Sequence, residues 1–165
     1  MWTPWRMPYL LGHDRRNDGQ CVFCVKSAGD PDDDAFNAQE YIVARAAHVF
    51  VALNLYPYSN GHVLIVPYAH VPSVEDLAPD VLTDLMLTLN RVLAALRAVY
   101  QPQGFNVGFN LGTGAGAGIP DHVHMHVVPR WGGDTGFMTV TGGARTIPDL
   151  LDDTYRKLRA AWAAV

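Results

Sequence analysis

Between residues 122 and 128 the chain switches character at every step: His122, Val123, His124, Met125, His126, Val127, with Val128 following. Successive side chains of a β-strand point to opposite faces. The run therefore predicts a strand over 122–128 with His122, His124 and His126 on one face and Val123, Met125 and Val127 on the other. Neighbouring imidazoles in such a row stand about 6.5–7 Å apart. Three imidazoles on one face are costly to bury without partners, so the row is either a set of hydrogen-bonded core histidines, three ligands of one metal, or divided between support and reaction.

The other elements follow from period and punctuation. Tyr41 to Ala44, His48 to Leu53 and His62 to Val66 are short strand candidates. Tyr56 to Gly61 is a turn region and Pro67 ends the third strand. From Ala78 to Tyr100 the apolar residues fall at steps of three and four, from Val81 through Leu85, Leu89, Val92 and Leu96 to Val99. That spacing predicts a long amphipathic helix, with Pro79 in its first turn and Pro102 and Gly104 ending it. Phe105 to Leu111 is a fourth strand, with Phe105, Val107, Phe109 and Leu111 sharing a face. A terminal helix is expected after Thr146, its candidate cap, with Leu150, Leu151, Tyr155, Leu158 and Trp162 as the apolar stripe. The sum is an α+β chain: a mainly antiparallel sheet of about five strands with one long and one C-terminal helix. Residues 1–165 read as one domain, with 1–20 as an N-terminal arm carrying Trp2, Trp5, Arg6 and Tyr9. Ser27 to Ala35, with Asp30, Asp32, Asp33 and Asp34, reads as a solvated loop, a divalent-ion site being the alternative.

Charge narrows the function classes. The formal net charge is -4, which argues against a broad nucleic acid partner, since that needs a basic face. No apolar run suggests a membrane span. The N-terminus resembles no signal peptide, so the expected location is the cytoplasm.

The two cysteines form a single Cys-x-x-Cys unit, Cys21 and Cys24. Metal ligation, a redox pair and two buried thiols all remain open on that motif alone. A structural zinc site takes four ligands from cysteine and histidine, and His70 with one histidine of the row could complete one. The segment Gly112 to Gly118 holds four glycines in seven residues. It can bring main chain close to a ligand and offer N–H groups to phosphate, or it is simply a flexible connection. A neutral imidazole with one bare nitrogen can attack phosphorus.

His122 to Val128 resembles the histidine-triad (HIT) signature, in which three histidines alternate with apolar residues. Asn54 to Pro67, with Gly61-His62, is similar to the family's earlier strand, and the likeness runs from about Cys21 to Asp134. The resemblance implies a HIT-like fold and action at the α-phosphate of nucleotides. It casts His124 as the covalent nucleophile, His126 beside the phosphate, and His62 as support for both. It places Asn54 at the ribose and Asn110 at the phosphate, and backbone donors around Gly116 and Gly118 would face the phosphate oxygens. A zinc-bearing branch implies structural Zn2+ on Cys21, Cys24, His70 and His122, with no organic cofactor. The usual Gly-Gln-Ser/Thr before the triad is replaced by Ala117-Gly118-Ile119.

The N-terminal Trp/Tyr pattern, the glycine run and Val127 to Asp134 look most like the actinobacterial diadenosine tetraphosphate phosphorylase branch. Gly136 stands where that branch often has Asn. The implied reaction cleaves diadenosine tetraphosphate with inorganic phosphate to ATP and ADP. Arg130 and Arg145 are candidate phosphate contacts. A diadenosine polyphosphate hydrolase, an adenosine phosphoramidase and a non-catalytic nucleotide-binding module are the alternatives. The family's usual assembly implies a homodimer.

Overall fold

The computed structural model describes residues 19–134 and 149–165. In chain order the helices are α1 (Val22–Ala28), α2 (Asp34–Gln39), α3 (Pro79–Tyr100) and α4 (Leu151–Trp162). The strands are β1 (Ile42–Arg45), β2 (Val49–Leu53), β3 (Val63–Pro67), β4 (Gly104–Phe109) and β5 (Met125–Arg130). They form one sheet in the order β1-β2-β3-β5-β4, and every neighbouring pair is antiparallel.

The middle strands explain the layering. Val49–Leu53 and Val63–Pro67 are buried at every position, as unbroken apolar runs require when both sheet faces are covered. Val51, Leu53, Val63, Ile65, Met125 and Val127 pack with Val81, Leu85, Leu89, Val92 and Leu96 of α3 and with Leu158 of α4. On the opposite face Phe50, Ala52, Leu64 and Val66 pack with Phe23 of α1. Burying one such side chain contributes about 1.5–3 kcal/mol. The histidine face is this second, thinner side.

Several expectations shift. The ladder of β5 begins at Met125, not His122. His122 to His124 run ahead of it as a segment held by Val123 N–H on Val71 O at 2.8 Å. The segment expected as a solvated loop is exposed from Asp30 to Ala35, with helix reaching into its two ends: α1 ends at Ala28 and α2 begins at Asp34, with the Asp33 side chain accepting from Phe36 N–H. The Asp33 carboxylate is thus an N-cap, not a repelling charge. Val107 is 42% exposed and Leu111 40%, because β4 is an edge strand and Leu111 lies beyond its end. The long helix stops on a left-handed Gln101, φ 47°. Helix α4 starts at Leu151 with Leu150 as its cap and no side-chain cap bond. Leu150 is exposed rather than on the stripe. Thr146, Gly136, Arg145 and the arm before Gly19 lie outside the described residues.

Candidate active site and metal centre

The end of β2, the turn after it, the glycine-rich loop and α1 enclose a cleft of about 340 Å³. His124, His126, Asn54, Asn110, Gly116 and Gly118 all line it. Residues far apart in the chain converge here because His126 sits opposite Leu64 of β3 on one side and Gly108 of β4 on the other. His62 lies behind this wall, buried to 1% exposure.

Obligate donors and acceptors set the protons. A backbone carbonyl only accepts, so the 2.9 Å contact between His124 Nδ1 and His122 O places the hydrogen on Nδ1. Burial holds His124 below the ordinary imidazole range, the bond to His122 O opposing that in part. The ring is therefore neutral near pH 7, with Nε2 bare. Behind it, Tyr58 N–H donates to His62 Nδ1 at 3.1 Å. His62 Nε2 then carries the hydrogen and donates to His126 Nδ1 at 3.0 Å. The remaining hydrogen of a neutral His126 is on Nε2; the Asn110 side-chain amide lies 3.4 Å from that atom, and it is the amide oxygen, turned toward the ring, that can accept this hydrogen. Burial first, then the His126 and His124 rings, lowers the His62 pKa to about 3. His62 thus stays an uncharged relay of orientation.

The glycine loop is less open-handed than its composition suggests. Gly112 and Gly116 have φ of 74° and 82°, a region glycine enters without penalty. Gly116 lines the cleft, and its N–H donates within the turn to Thr113 O at 3.0 Å. Arg130 is likewise withdrawn. It pairs with Asp134, with Nη2 to Oδ1 at 2.7 Å, and with Asn106, and does not line the cleft.

A second cluster sits against the first. Cys21, Cys24, His70 and His122 each offer one ligand atom, all within 4.8 Å of one another. The sulfur–nitrogen separations are 3.3 Å from Cys21 to His122 Nδ1, 3.7 Å from Cys24 to the same atom, and 3.2 Å from Cys24 to His70 Nδ1. Bonds of about 2.3 Å to sulfur and 2.0–2.1 Å to nitrogen in a tetrahedron give edges of about 3.6 Å. The four residues therefore fit a four-coordinate metal ion. His122 Nε2 donates to Pro67 O at 2.9 Å, which leaves Nδ1 bare and aimed at the sulfurs. Burial, and then the neighbouring Cys21, push the Cys24 thiol up, a strain on the thiolate form that a dication would relieve.

Sequence reading missed four residues around these sites. Phe23 packs on both His122 and His124, with centroids at 5.3 and 4.9 Å. Tyr58 lies over His62 and His126 at 4.8 and 6.1 Å. Lys26 and Glu40 form an ion pair at the cleft. Phe23 and Lys26 carry no signal until Val22–Ala28 is known to be a helix lying over the sheet.

The HIT domain family model matches residues 35–133. The chain is 41% identical over 163 residues to the AP-4-A phosphorylase of Mycobacterium tuberculosis, covering 99% of this chain and 84% of that one. It is 39% identical over 82 residues to the bis(5'-nucleosyl)-tetraphosphatase [asymmetrical] of Schizosaccharomyces pombe, covering 50% of this chain and 44% of that one. Among solved structures, a Zn-bound histidine triad family protein from Mycobacterium smegmatis superimposes with a TM-score of 0.67 at 28% identity, covering 88% and 94% of the two chains.

Proposed function

Because the chain belongs to the HIT domain family, we propose that it is a nucleotide phosphorylase that moves an adenylyl group from diadenosine tetraphosphate to inorganic phosphate through His124. The observation that carries this is the tautomer of His124: Nδ1–H is tied to His122 O, and the ring lines the cleft with Nε2 as its bare atom. The 41% identity to an AP-4-A phosphorylase over nearly the whole chain supports the choice of substrate.

In the first step the Nε2 lone pair attacks the α-phosphorus. A P–N bond forms, the bond from that phosphorus to the bridging oxygen breaks, and ATP leaves. In the second, an oxygen of inorganic phosphate attacks the same phosphorus, the P–N bond breaks and ADP leaves. His126, with its proton on Nε2 and Asn110 beside it, is placed to stabilise charge on the non-bridging oxygens. His62 holds His126 in that tautomer. Gly118, whose N–H has no hydrogen-bond partner among the described residues, takes the phosphate-donor role at the loop. Asn54 lines the part of the cleft assigned to the ribose.

Zinc is the proposed occupant of the Cys21, Cys24, His70 and His122 cluster, supported by the tetrahedral spacing and by the Zn-bound relative. Four protein ligands leave no open position, so the ion would brace α1 against the histidine segment. A homodimer and a cytoplasmic location belong to the same reading. Met86 and Leu87 of α3 and Val107 of the edge strand are exposed apolar residues suited to a second copy. No helix among the described residues is long and apolar enough to cross a membrane.

The experiment is turnover of diadenosine tetraphosphate with and without inorganic phosphate, followed by acid-free trapping and mapping of the adenylylated residue. ATP plus ADP, formed only with phosphate, and label on His124 are expected. ATP plus AMP from water alone would make the chain a hydrolase. Label elsewhere, or no covalent species, would overturn the His124 mechanism.

A further inference from the structure

Beyond the triad, the cleft continues to a buried ion pair that the reaction does not use. Lys26 of α1 is 7% exposed. Its Nζ donates to both the main-chain oxygen and Oε2 of Glu40, each at 2.6 Å. Both residues line the same cleft as His124. A buried pair is weak evidence for stability, because desolvation offsets most of the Coulombic gain and apolar replacements are often tolerated. Its place in a ligand cleft calls for another use.

Position names that use. Leu53 N–H donates to Tyr41 O at 3.0 Å, so the residue before Tyr41 runs alongside the chain that follows Leu53. Glu40 and Asn54 therefore converge on one stretch of the cleft. Asn54 is only partly available there: its Oδ1 already accepts from Tyr56 N–H at 3.0 Å, and its Nδ2 lies 3.3 Å from His62 Nδ1. A vicinal diol presents two O–H donors and needs two acceptors. A carboxylate is acceptor-only, and acidic side chains serve this purpose for ribose in other nucleotide sites.

We infer that Glu40, fixed by Lys26, accepts a hydrogen bond from a ribose hydroxyl of the bound nucleotide and makes the site selective for ribonucleotides. The inference rests on the nucleotide reading of the cleft, though not on whether phosphate or water completes the reaction. Lys26 is a positioning residue: it holds Oε2 and leaves the carboxylate pointed by one oxygen. The other donor that a carboxylate could meet is the amino group of adenine, and the test separates the two.

Calorimetric titration of the full chain uses AMP, 2′-deoxy-AMP, 3′-deoxy-AMP and purine riboside 5′-monophosphate, which lacks the amino group. AMP is expected to bind about ten-fold or more tightly than at least one deoxy form, the size of a lost charge-assisted hydrogen bond. Glu40→Leu alone strands a buried ammonium and risks misfolding, so the decisive variant is Lys26→Met with Glu40→Leu, which removes both charges at similar volume. It should bind AMP and the deoxy forms alike, at the wild-type deoxy level, and still take adenylyl label on His124. Wild-type discrimination between AMP and deoxy-AMP retained in that variant overturns the inference. So does equal binding of AMP and both deoxy forms by the wild type, or a change confined to the purine riboside arm. If the wild type binds none of these nucleotides, the nucleotide reading itself falls with it.

Discussion

The carbonyl of His122 accepts the Nδ1 hydrogen of His124 at 2.9 Å, while the ring of His122 turns its own Nδ1 to the sulfurs of Cys21 and Cys24. One residue thus belongs to both clusters, by its ring to the proposed metal centre and by its main chain to the proposed nucleophile. Any movement of the His122 backbone changes the direction in which His124 Nε2 points.

Metal removal is therefore expected to act on both stability and rate. Stripping the ion with a strong chelator should lower the thermal midpoint by roughly 10 °C, the size of several kcal/mol in a chain of this length. It should also lower kcat more than it raises KM. Scanning calorimetry with elemental analysis and steady-state kinetics checks this, and a thermal midpoint that is the same before and after zinc loss would count against a bracing role.

His62 gives a pH dependence with a definite sign. Its pKa falls from 6.5 in the unfolded chain to about 3 in the fold, so the unfolded state binds the extra proton first. The neutral ring's contribution is complete above pH 6.5 and is lost as pH drops from there toward about 3, by an amount on the order of 5 kcal/mol. Denaturant unfolding at a series of pH values should show stability rising with pH in that window. His62→Leu should flatten part of the slope and cut kcat roughly 10–100-fold, since His126 then loses the donor that sets its tautomer. An unchanged slope in His62→Leu would show that other groups own the acid sensitivity.

Gly61 precedes His62 with φ of 70°. A Cβ there would stand 2.9 Å from both Leu96 Cδ2 and Tyr100 Cε2, and left-handed backbone disfavours an L side chain in any case. Gly61→Ala is expected to cost about 1–3 kcal/mol and to slow turnover by shifting the ring that follows. Unfolding midpoints and kcat measured on the same preparation test both halves.

The fold was largely legible because its signals are strong and local. Two all-apolar strands and the 3.6-residue stripe of Pro79–Tyr100 do not depend on context. What was not legible came from tertiary placement. Nothing in Val22, Phe23, Val25 and Lys26 announces a short helix of seven residues, since helices of that length are set by packing rather than propensity. Val107 looks like core by alternation yet is exposed because β4 lies at an edge. The proton order through Tyr58 N–H, His62 and His126 depends on a backbone donor, to which side-chain patterns are blind. Arg130, a cation near a phosphate loop in sequence, is paired with Asp134 in the fold, a partnership that sequence position does not reveal.

Phe23 supplies the last test, because it is where α1 meets both clusters. It is 4% exposed and its ring touches His122 edge-on and His124 at a tilt. Phe23→Ala should destabilise by about 3–5 kcal/mol, the usual result of emptying a buried aromatic site. Phe23→Leu keeps most of the volume and should cost far less. Both lose the ring that abuts the two imidazoles. If that ring does no more than fill space, kcat will follow stability and Phe23→Leu will be nearly as fast as wild type. If it holds the His124 plane against the His122 carbonyl, Phe23→Leu will fold well, retain its metal and still turn over at least several-fold more slowly. Single-turnover adenylylation of His124 in the two variants, alongside their zinc content, separates these outcomes, and a Phe23→Leu rate equal to wild type sinks the orienting role.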